Sequence, residues 1–345
     1  MLSFQCDYAE GCHPEILDLM AKTNREGIVG YGCDEYSARA KKKIAAACGY
    51  KADEPQPEIF FLVGGTQANQ VVISAMLANY QGVIGADTGH IAIHEAGAVE
   101  YTGHKVLTIP HKNGKLAAAD VGRLLEKFYG DGSYDHMVFP GMVYVSHPSE
   151  YGTLYTLAEL TALSEVCREY DIPLFLDGAR LGYGLMAEGT DVTLADIARL
   201  TDVFYIGGTK MGALMGEAVV FAPGKAPKHF YTMTKQHGAM LAKGWLLGLQ
   251  FDALFTDGLY FRAGKNAVEK AGRLRKMLAA KGYKFFMENP TNQIFVVLEN
   301  ERLRELEKRV RVGFWEAVDE SHTVVRFATG WGTTDEMLDE LEAYL

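Results

Sequence analysis

The sequence predicts an α/β fold in which a mostly parallel sheet is covered by helices on both faces. Six short apolar runs recur along the first two thirds of the chain, and several are continuously apolar, as expected of strands buried on both sides. Amphipathic segments separate these runs, so strands and crossover helices alternate. Beyond about residue 244 the alternation gives way to longer helices, which predicts a smaller α+β unit at the C-terminal end.

The predicted strands of the larger unit are joined by segments long enough for a crossover. They are Ile59–Val63, Val83–Ala86, Lys105–Ile109, Met142–Ser146, Pro173–Asp177 and Asp202–Ile206. Between them, Ala68–Ala78 and Leu157–Tyr170 carry apolar residues at helical spacing and are predicted to be helices. Glu217–Phe221 follows Lys210 too closely for a crossover helix, so we predict an antiparallel strand there.

The smaller unit is predicted to begin with two helices, Trp245–Leu254 and Ala263–Ala280. The strands Ile294–Glu299 and Val324–Ala328 and a last helix follow. We therefore predict a large domain over residues 1–245 and a small C-terminal domain over residues 246–345.

Composition narrows the classes of protein to consider. With 345 residues, 48% of them hydrophobic, the chain can bury a full core. Its net charge of −10 argues against a nucleic-acid partner, and no apolar stretch is long enough to cross a membrane. The five cysteines form no C-x-x-C pair and the N-terminus has no signal-peptide pattern. We therefore expect a cytoplasmic protein with free thiols.

Residues that follow the predicted strands are candidates for a site, because ligands of open α/β sheets bind beyond the carboxyl ends of the strands. After the first strand, Gly64-Gly65-Thr66-Gln67 opens a helix whose free N–H groups and dipole suit a phosphate. His90 follows the second strand and Glu150 the fourth, each in a polar turn. Taken singly, each of these features is also common in turns with a purely structural role.

Asp177 ends the fifth predicted strand, and Lys210 comes soon after the sixth. Alone, the aspartate could cap a turn and the lysine could be an ordinary solvated one. The two are 33 residues apart (210 − 177), about one strand–helix–strand unit, so they can lie on neighbouring strand ends. Together with the phosphate turn they match pyridoxal 5′-phosphate (PLP): the lysine forms a Schiff base, and the aspartate keeps the pyridinium nitrogen protonated.

Motifs of competing sites are absent from the sequence. There is no Walker A sequence, no G-x-G-x-x-G and no H-E-x-x-H, so neither a nucleotide site nor a metal site is predicted.

The sequence resembles the L-threonine aldolases of the low-specificity type, a family of fold-type-I PLP-dependent enzymes, over nearly its whole length. The resemblance is densest in Tyr31-Gly32-Cys33-Asp34-Glu35-Tyr36, Gly65-Thr66-Gln67-Ala68-Asn69, His90-Ile91, Glu95-Ala96-Gly97-Ala98, Glu150-Tyr151-Gly152-Thr153, Asp177-Gly178-Ala179-Arg180, Gly207-Gly208-Thr209-Lys210, Gly216–Phe221 and Val325–Thr329. It implies cleavage of the Cα–Cβ bond of a β-hydroxy-α-amino acid, with threonine or allo-threonine giving glycine and acetaldehyde.

The resemblance also implies roles for individual residues around the cofactor and the substrate. His90 would stack on the PLP ring and is a candidate base near the substrate hydroxyl, while Gly65, Thr66 and Gln67 would hold the cofactor. Arg180 and Arg326 would bind the substrate carboxylate, a task suited to a bidentate guanidinium.

Further residues would build the site between two chains of a homodimer or homotetramer. Lys235 and Lys243 fall where the family has cations near the phosphate, one of them from the neighbouring subunit. Tyr31 aligns with a tyrosine of the dimer interface.

Two positions of the predicted substrate site depart from the family pattern. The family usually opens with Ser-Asp-Asn or Ser-Asp-Thr, whose serine contacts the substrate carboxylate, and this chain has Cys6-Asp7-Tyr8. A thiol is a weaker hydrogen-bonding group than a hydroxyl. Some relatives place a histidine near the substrate hydroxyl where this chain has Glu150.

Three hypotheses for function follow. The first is aldol cleavage, the second is another PLP reaction such as β-elimination or transamination, and the third is a non-catalytic PLP-binding protein. Glycine and aldehyde from threonine, rather than pyruvate or ammonia from serine or cysteine, separate the first two. The set of Asp177, Arg180, Lys210 and Arg326 is more than a mere carrier needs.

Overall fold

A computed structural model describes residues 1–345, and it contains one large sheet and two small ones. The strands are β1 (Leu2–Ser3), β2 (Glu58–Leu62), β3 (Gln81–Ala86), β4 (Val106–Ile109), β5 (Phe139–Ser146), β6 (Leu174–Asp177), β7 (Val203–Gly207), β8 (Glu217–Phe221), β9 (Lys284–Met287), β10 (Gln293–Glu299), β11 (Val310–Arg311), β12 (Gly313–Ala317) and β13 (His322–Ala328).

Fourteen helices connect and cover the strands. They are α1 (Pro14–Thr23), α2 (Glu35–Ala47), α3 (Gly65–Met76), α4 (His90–Ile93), α5 (Ala98–Tyr101), α6 (Ala118–Tyr129), α7 (Leu157–Glu169), α8 (Leu181–Met186), α9 (Leu194–Leu200), α10 (Phe230–Gln236), α11 (Trp245–Leu254), α12 (Leu259–Ala280), α13 (Asn300–Glu307) and α14 (Asp335–Glu342). None of the helices has the length and apolar composition that crossing a bilayer requires.

The large sheet has the strand order β2-β8-β7-β6-β5-β3-β4. Neighbouring strands from β7 to β4 run parallel, whereas β8 pairs antiparallel with both β7 and β2. The α/β prediction and the antiparallel strand over Glu217–Phe221 are therefore confirmed. Because β5, β6 and β7 are adjacent and parallel, their carboxyl ends, with Ser146 and Asp177 paired in register, meet at one edge.

Both faces of the large sheet are buried, which explains the unbroken apolar runs of the sequence. Along β6, Leu174 and Leu176 enter one hydrophobic core while Phe175 enters the core on the opposite face. Along β5, Val143 and Tyr144 divide in the same way. The strand carrying Asp177 is thus fixed from two sides, and so is the position of its carboxylate.

The main difference from the sequence prediction in this region lies at α3. The helix begins at Gly65, three residues before the predicted Ala68, since only Val63 and the extended Gly64 separate it from β2. Gly65, Thr66 and Gln67 therefore form the first turn of a helix, where backbone N–H groups have no intrahelical acceptor.

The C-terminal part of the chain forms a four-stranded antiparallel sheet in the order β12-β13-β10-β9, which contains two strands more than predicted. Its core includes Leu2 and Phe4 from the opposite end of the chain. Along α12, Ala263 and Ala267 pack in the large core, whereas Leu274 packs in the C-terminal core. The division after residue 245 stays a proposal, in which α12 and the N-terminal strand join the two parts.

Helices α8 and α12 pack with almost no space between their backbones. An ideal Cβ built at Gly264 of α12 would lie 2.4 Å from the carbonyl oxygen of Gly182 in α8. A Cβ at Gly182 would in turn meet the side chain of Met211, next to Lys210. Close packing of two helices therefore supports the turn that carries the lysine.

We predict that Gly264→Ala lowers the Tm, because the added methyl group must push α12 away from α8 at a cost of about 1–3 kcal/mol. Gly272→Ala is the matched control on the same helix, since an ideal Cβ there meets nothing within 4 Å. That control should gain about 0.5–1 kcal/mol from helix propensity. Thermal unfolding followed by circular dichroism measures both variants, and equal shifts in Tm would contradict the packing argument.

Candidate active site

A cavity of about 320 Å³ opens at the carboxyl ends of the central strands. It brings together predicted residues from separate parts of the chain, among them Gly65, Thr66, His90, Asp177 and Lys210. Its other lining residues are Tyr8, Val63, Gly64, Ser146, Pro148, Ser149, Glu150, Ala179, Arg180, Tyr205, Thr209, Met215 and Glu217. The volume lies within the usual range for small-molecule sites.

Asp177 is almost fully buried at the end of β6, and hydrogen bonds hold its carboxylate. Oδ2 accepts from the Tyr144 hydroxyl at 2.5 Å and from Asn69 Nδ2 at 3.1 Å, and Oδ1 accepts from the backbone N–H of Ala179 at 2.9 Å. Burial alone would raise the pKa of Asp177, but the nearby His90 and these hydrogen bonds hold that pKa below its ordinary value. The carboxylate is therefore charged at neutral pH.

His90 is connected to this carboxylate through two further side chains. Its Nδ1 lies 2.7 Å from Glu95 Oε1, and the same oxygen accepts from Asn69 Nδ2 at 2.8 Å. Since an ionised carboxylate only accepts hydrogen bonds, Nδ1 carries the proton and Nε2 is the free ring nitrogen. Asn69 thus orients the aspartate and the histidine together.

Lys210 lies in a short 3₁₀ turn, Thr209–Met211, that follows β7. The Tyr183 hydroxyl donates to the carbonyl oxygen of Lys210, and His13 Nε2 donates to the carbonyl oxygen of Met211 at 3.2 Å. Burial lowers the pKa of the Lys210 amine, and the charge of Arg180 lowers it further. A lysine amine with a lowered pKa is more often uncharged and hence a better nucleophile.

Glu217 lies beside this turn, on the neighbouring strand β8. Its two carboxylate oxygens accept from the Thr209 hydroxyl at 2.9 Å and from the backbone N–H of Gly208 at 3.2 Å. Burial raises the pKa of Glu217 to about 8. A carboxyl group at this place stabilises the turn of Lys210 without forming a salt bridge with its amine.

The predicted phosphate site lies at the first turn of α3. An ideal Cβ at Gly65 would come within 3.0 Å of the Tyr205 hydroxyl, which itself hydrogen bonds to Asp177. Glycine therefore keeps the helix start close to the aspartate. Gln67 does not line the cavity, because its side chain turns back to accept from the backbone N–H of Val63 at 3.0 Å.

Arg180 is present in the cavity wall but is already paired. Its Nε and Nη2 donate to the two oxygens of Asp7 at 2.8 and 3.0 Å, and Asp7 also accepts from Asn292 at 2.9 Å. Although burial opposes the charge of Asp7, Arg180 and the neighbouring Lys210 hold the pKa of this carboxyl far below its ordinary value. The pair links the N-terminal segment to the strand end of Asp177.

Arg326 lines a second cavity, of about 510 Å³, which shares Tyr8, His90, Glu150, Arg180 and Lys210 with the first. Its guanidinium donates to Gln293 Oε1 at 2.9 Å and to the carbonyl oxygen of Gln5 at 3.0 Å, while its buried Nε has no partner. Both partners are neutral, so the positive charge of Arg326 is not compensated. An anionic group of a ligand can supply both the negative charge and a hydrogen-bond acceptor for Nε.

Glu150 lies between the two cavities and is nearly buried. Its Oε1 accepts from the Ser146 hydroxyl at 2.6 Å and from the backbone N–H of His90 at 2.8 Å. Burial raises the pKa of Glu150 above its ordinary value. A carboxyl group in this position can exchange a proton with a ligand.

Besides Gln67, four predicted residues do not line either cavity within one chain. Cys6 is half-buried between Gln5 and Asp7, the residues that hold the two arginines. Tyr31, Lys235 and Lys243 are exposed, and Lys235 Nζ lies 5.0 Å from the centre of the Tyr31 ring. Tyr31 also has a positive φ of 62°, an uncommon and costly backbone conformation for a tyrosine. Their roles stay predictions.

Several members of the site were missed when the sequence was considered alone. Tyr144 and Tyr205 lie inside predicted strands, where the sequence indicates ordinary core residues. Glu217 lies in the predicted antiparallel strand, and nothing in the sequence indicates a role at the site. A signal existed for Asn69: it lies four residues after Gly65, on the same face of α3. No comparable signal existed for the pairing of Asp7 with Arg180 across 173 residues.

The residues at this site fit PLP. A helix start with free N–H groups suits the phosphate, and a buried, charged carboxylate suits a pyridinium nitrogen. An amine with a lowered pKa and no salt bridge suits the covalent link. All three line one cavity.

Comparison with known proteins supports this assignment. Residues 4–301 match the family described as “Beta-eliminating lyase”. A threonine aldolase structure from Leishmania major is 40% identical, covers 100% of this chain and 98% of its own, and superimposes with a TM-score of 0.94. A “Low specificity L-threonine aldolase” from a Pseudomonas strain is 29% identical over 99% of this chain and 96% of its own length. Aspartate aminotransferase of Thermus thermophilus, 16% identical with a TM-score of 0.72, shares the fold.

We predict that Asp7→Asn destabilises the protein by about 3–5 kcal/mol, because Arg180 would keep a largely buried charge without its partner. Since the folded-state pKa of Asp7 is depressed, the stabilisation is present above the ordinary pKa of 3.8 and is lost as the pH falls below it. The Tm difference between wild type and Asp7→Asn should therefore be large at pH 7 and shrink under acid conditions. The exposed Asp18→Asn is the control, and a Tm difference independent of pH would contradict the pairing.

Proposed function

The chain belongs to the beta-eliminating lyase family, and on that premise we propose that it is a PLP-dependent aldolase. It cleaves the Cα–Cβ bond of a β-hydroxy-α-amino acid, releasing glycine and an aldehyde; from threonine or allo-threonine the aldehyde is acetaldehyde. The observation that carries the proposal is that the Lys210 amine and the charged carboxylate of Asp177 line one cavity, at the carboxyl ends of the neighbouring strands β7 and β6.

Four groups of the chain would hold the cofactor. Lys210 would bind it covalently as a Schiff base, Asp177 would pair with the ring nitrogen, and His90 would stack on the ring. The first turn of α3, at Gly65 and Thr66, would hold the phosphate. When bound, PLP supplies an electron sink for the pair left on Cα when one of its bonds breaks.

The substrate carboxylate would bind Arg326, whose guanidinium has a free buried Nε and no anionic partner. Arg180 lies beside it, and its charge is already shared with Asp7. The carboxylate anchor fixes which bond to Cα stands perpendicular to the cofactor ring, and so selects the bond that breaks. Arg326 would therefore determine which bond of the substrate is cleaved as well as how tightly the substrate binds.

Another reaction of PLP, such as β-elimination or transamination, is the alternative. The family description favours elimination, and the shared aminotransferase fold is compatible with either. Similarity to threonine aldolases along the whole chain favours aldol cleavage. A non-catalytic PLP carrier would not need an uncompensated arginine in a cavity next to the lysine.

We also propose a homodimer or homotetramer with Tyr31 at the dimer interface. Of the two cations expected near the phosphate, Lys235 and Lys243, we propose that Lys235, which lies against Tyr31, reaches the site of the neighbouring subunit. Their exposure and the strained backbone of Tyr31 support a role at an interface. A cytoplasmic location is supported by five cysteines that are all free.

We predict that Lys210→Ala abolishes both the absorbance band of the PLP–lysine Schiff base and glycine formation from threonine, because no other lysine lines the cavity. The wild type, supplemented with PLP, should release glycine and acetaldehyde in equal amounts. Lys276→Ala, on α12 and away from this cavity, is the control and should leave both readouts unchanged. Pyruvate from serine with no glycine from threonine would favour elimination, and a wild type without the absorbance band would refute the proposal.

A shared site predicts complementation between two inactive variants. In a heterodimer of Lys210→Ala and Lys235→Ala chains, one of the two sites keeps both lysines, so co-expression should restore about a quarter of wild-type activity per chain. The measurement is glycine formation by the co-purified mixture, with the separately purified variants mixed briefly as the control. Continued inactivity of the co-expressed mixture, with both chains folded, would contradict a site built between subunits.

A further inference from the structure

The structure points to a proton-transfer group for the bond cleavage, and this inference rests on the proposed function. We propose that Glu150, through its free oxygen Oε2, takes the proton of the substrate β-hydroxyl. Glu150 would thus be a catalytic residue, while His90 would position the cofactor ring.

Glu150 lies near the place where the β-hydroxyl of a bound substrate is expected. It lines both the cavity of Lys210 and the cavity of Arg326. Gln293 connects it to the carboxylate anchor, because its Nε2 donates to the backbone oxygen of Glu150 at 3.2 Å and its Oε1 accepts from Arg326 at 2.9 Å. A substrate bound by Arg326 with Cα near Lys210 would therefore lie against the wall that contains Glu150.

The two oxygens of Glu150 have different roles in the structure. Both hydrogen bonds, from the Ser146 hydroxyl and from the backbone N–H of His90, go to Oε1. No donor of the chain binds Oε2, although it belongs to a nearly buried side chain. Oε1 thus fixes the direction of the carboxylate, and Oε2 is left for a ligand.

The electrostatic surroundings make this carboxylate a stronger base than an exposed glutamate. Burial raises its pKa, the Ser146 hydrogen bond opposes that effect, and the charge of Asp177 adds to it. His90 acts in the opposite direction. The other titratable groups around it are Tyr8, Tyr144, Tyr151, Tyr155, Tyr205, Arg180, Lys210, Glu217, His94, Glu316 and Arg326.

Although its Nε2 is free, His90 is less suited to this task because its ring is expected to stack on the cofactor. Its Nδ1 is bound to Glu95, and the same Glu95 oxygen is held by Asn69, which also binds Asp177. The imidazole is thereby tied to the group expected to pair with the ring nitrogen. Its backbone N–H, in contrast, supports Glu150.

The cleavage moves the β-hydroxyl proton to Glu150 and breaks one carbon–carbon bond. The O–H bond of the β-hydroxyl breaks and its proton passes to Oε2, while the oxygen electron pair forms the aldehyde carbonyl. The Cα–Cβ bond breaks and its electron pair stays on Cα, stabilised by the bound cofactor. A proton from water then adds to Cα to give glycine, and Oε2 releases its proton to water, so the carboxylate is restored and no oxidant or reductant is needed.

Glu150→Gln tests the proposal with little change in shape, because an amide oxygen can still accept from Ser146 and from the backbone of His90. Two reactions of the PLP-loaded enzyme are compared. One is cleavage of threonine, which needs the β-hydroxyl proton to be removed. The other is exchange of the α-hydrogen of glycine in D₂O, followed by NMR, which needs the same cofactor site but no β-hydroxyl. The exposed Glu165→Gln on α7 is the control.

We expect Glu150→Gln to lower kcat/KM for threonine by about 10²–10⁴-fold while glycine exchange stays within a few-fold of wild type. Retained cleavage would overturn the proposal, and so would an equal loss of both reactions. His90→Asn, which removes the ring nitrogens of the rival base, should reduce both reactions together. If the wild type exchanges glycine but cleaves no β-hydroxy-amino acid, the proposed function itself fails, independently of Glu150.

A pH profile gives a second readout that does not depend on the folding of Glu150→Gln. The base must be deprotonated, so kcat/KM for threonine should fall as the pH drops through the pKa of Glu150, which lies above its ordinary value of 4.5. Ser146→Ala removes a hydrogen bond that favours the charged carboxylate, so the acid limb of the profile should shift to higher pH. An acid limb that Ser146→Ala leaves in place would contradict the assignment.

Discussion

The site depends on keeping the carboxylate of Asp177 charged while it is almost fully buried at a strand end. Burial of a charge is costly, and here Tyr144, Asn69 and the backbone N–H of Ala179 offset that cost with hydrogen bonds. Each of the donors belongs to a different element: Tyr144 to the central strand β5, Asn69 to the helix α3, and Ala179 to the turn after β6. A displacement of any of these elements would therefore remove a hydrogen bond that keeps the aspartate charged.

The same arrangement explains how distant residues act together. Asn69 binds Asp177 and Glu95, and Glu95 binds His90, whose backbone N–H supports Glu150. The N-terminal segment contributes Asp7, which pairs with Arg180, while the C-terminal sheet contributes Arg326. The site is thus assembled where the large sheet, the chain start and the C-terminal sheet meet, and α12 contributes to the cores on both sides.

Much of the fold could be predicted from the sequence, because strands buried on both faces leave continuous apolar runs and because parallel strands require crossover helices. Asp177 and Lys210 could be recognised since each follows such a run. Residues that serve the site from inside a strand, such as Tyr144, could not be told from core residues. The pairing of Asp7 with Arg180 depends on the tertiary path of the chain, and local patterns do not determine it. Two strands of the four-stranded sheet, β9 and β12, were not predicted, because both are short and most of their residues are exposed or half-buried.

Lys210 is the residue expected to hold PLP covalently, because its amine has a lowered pKa and shares one cavity with Asp177. The most direct measurement is reduction of the PLP-loaded protein with borohydride, followed by peptide mapping with mass spectrometry. We expect the phosphopyridoxyl label on Lys210, the one lysine that lines the same cavity as Asp177. A protein without the label, or with the label on another lysine, would contradict it.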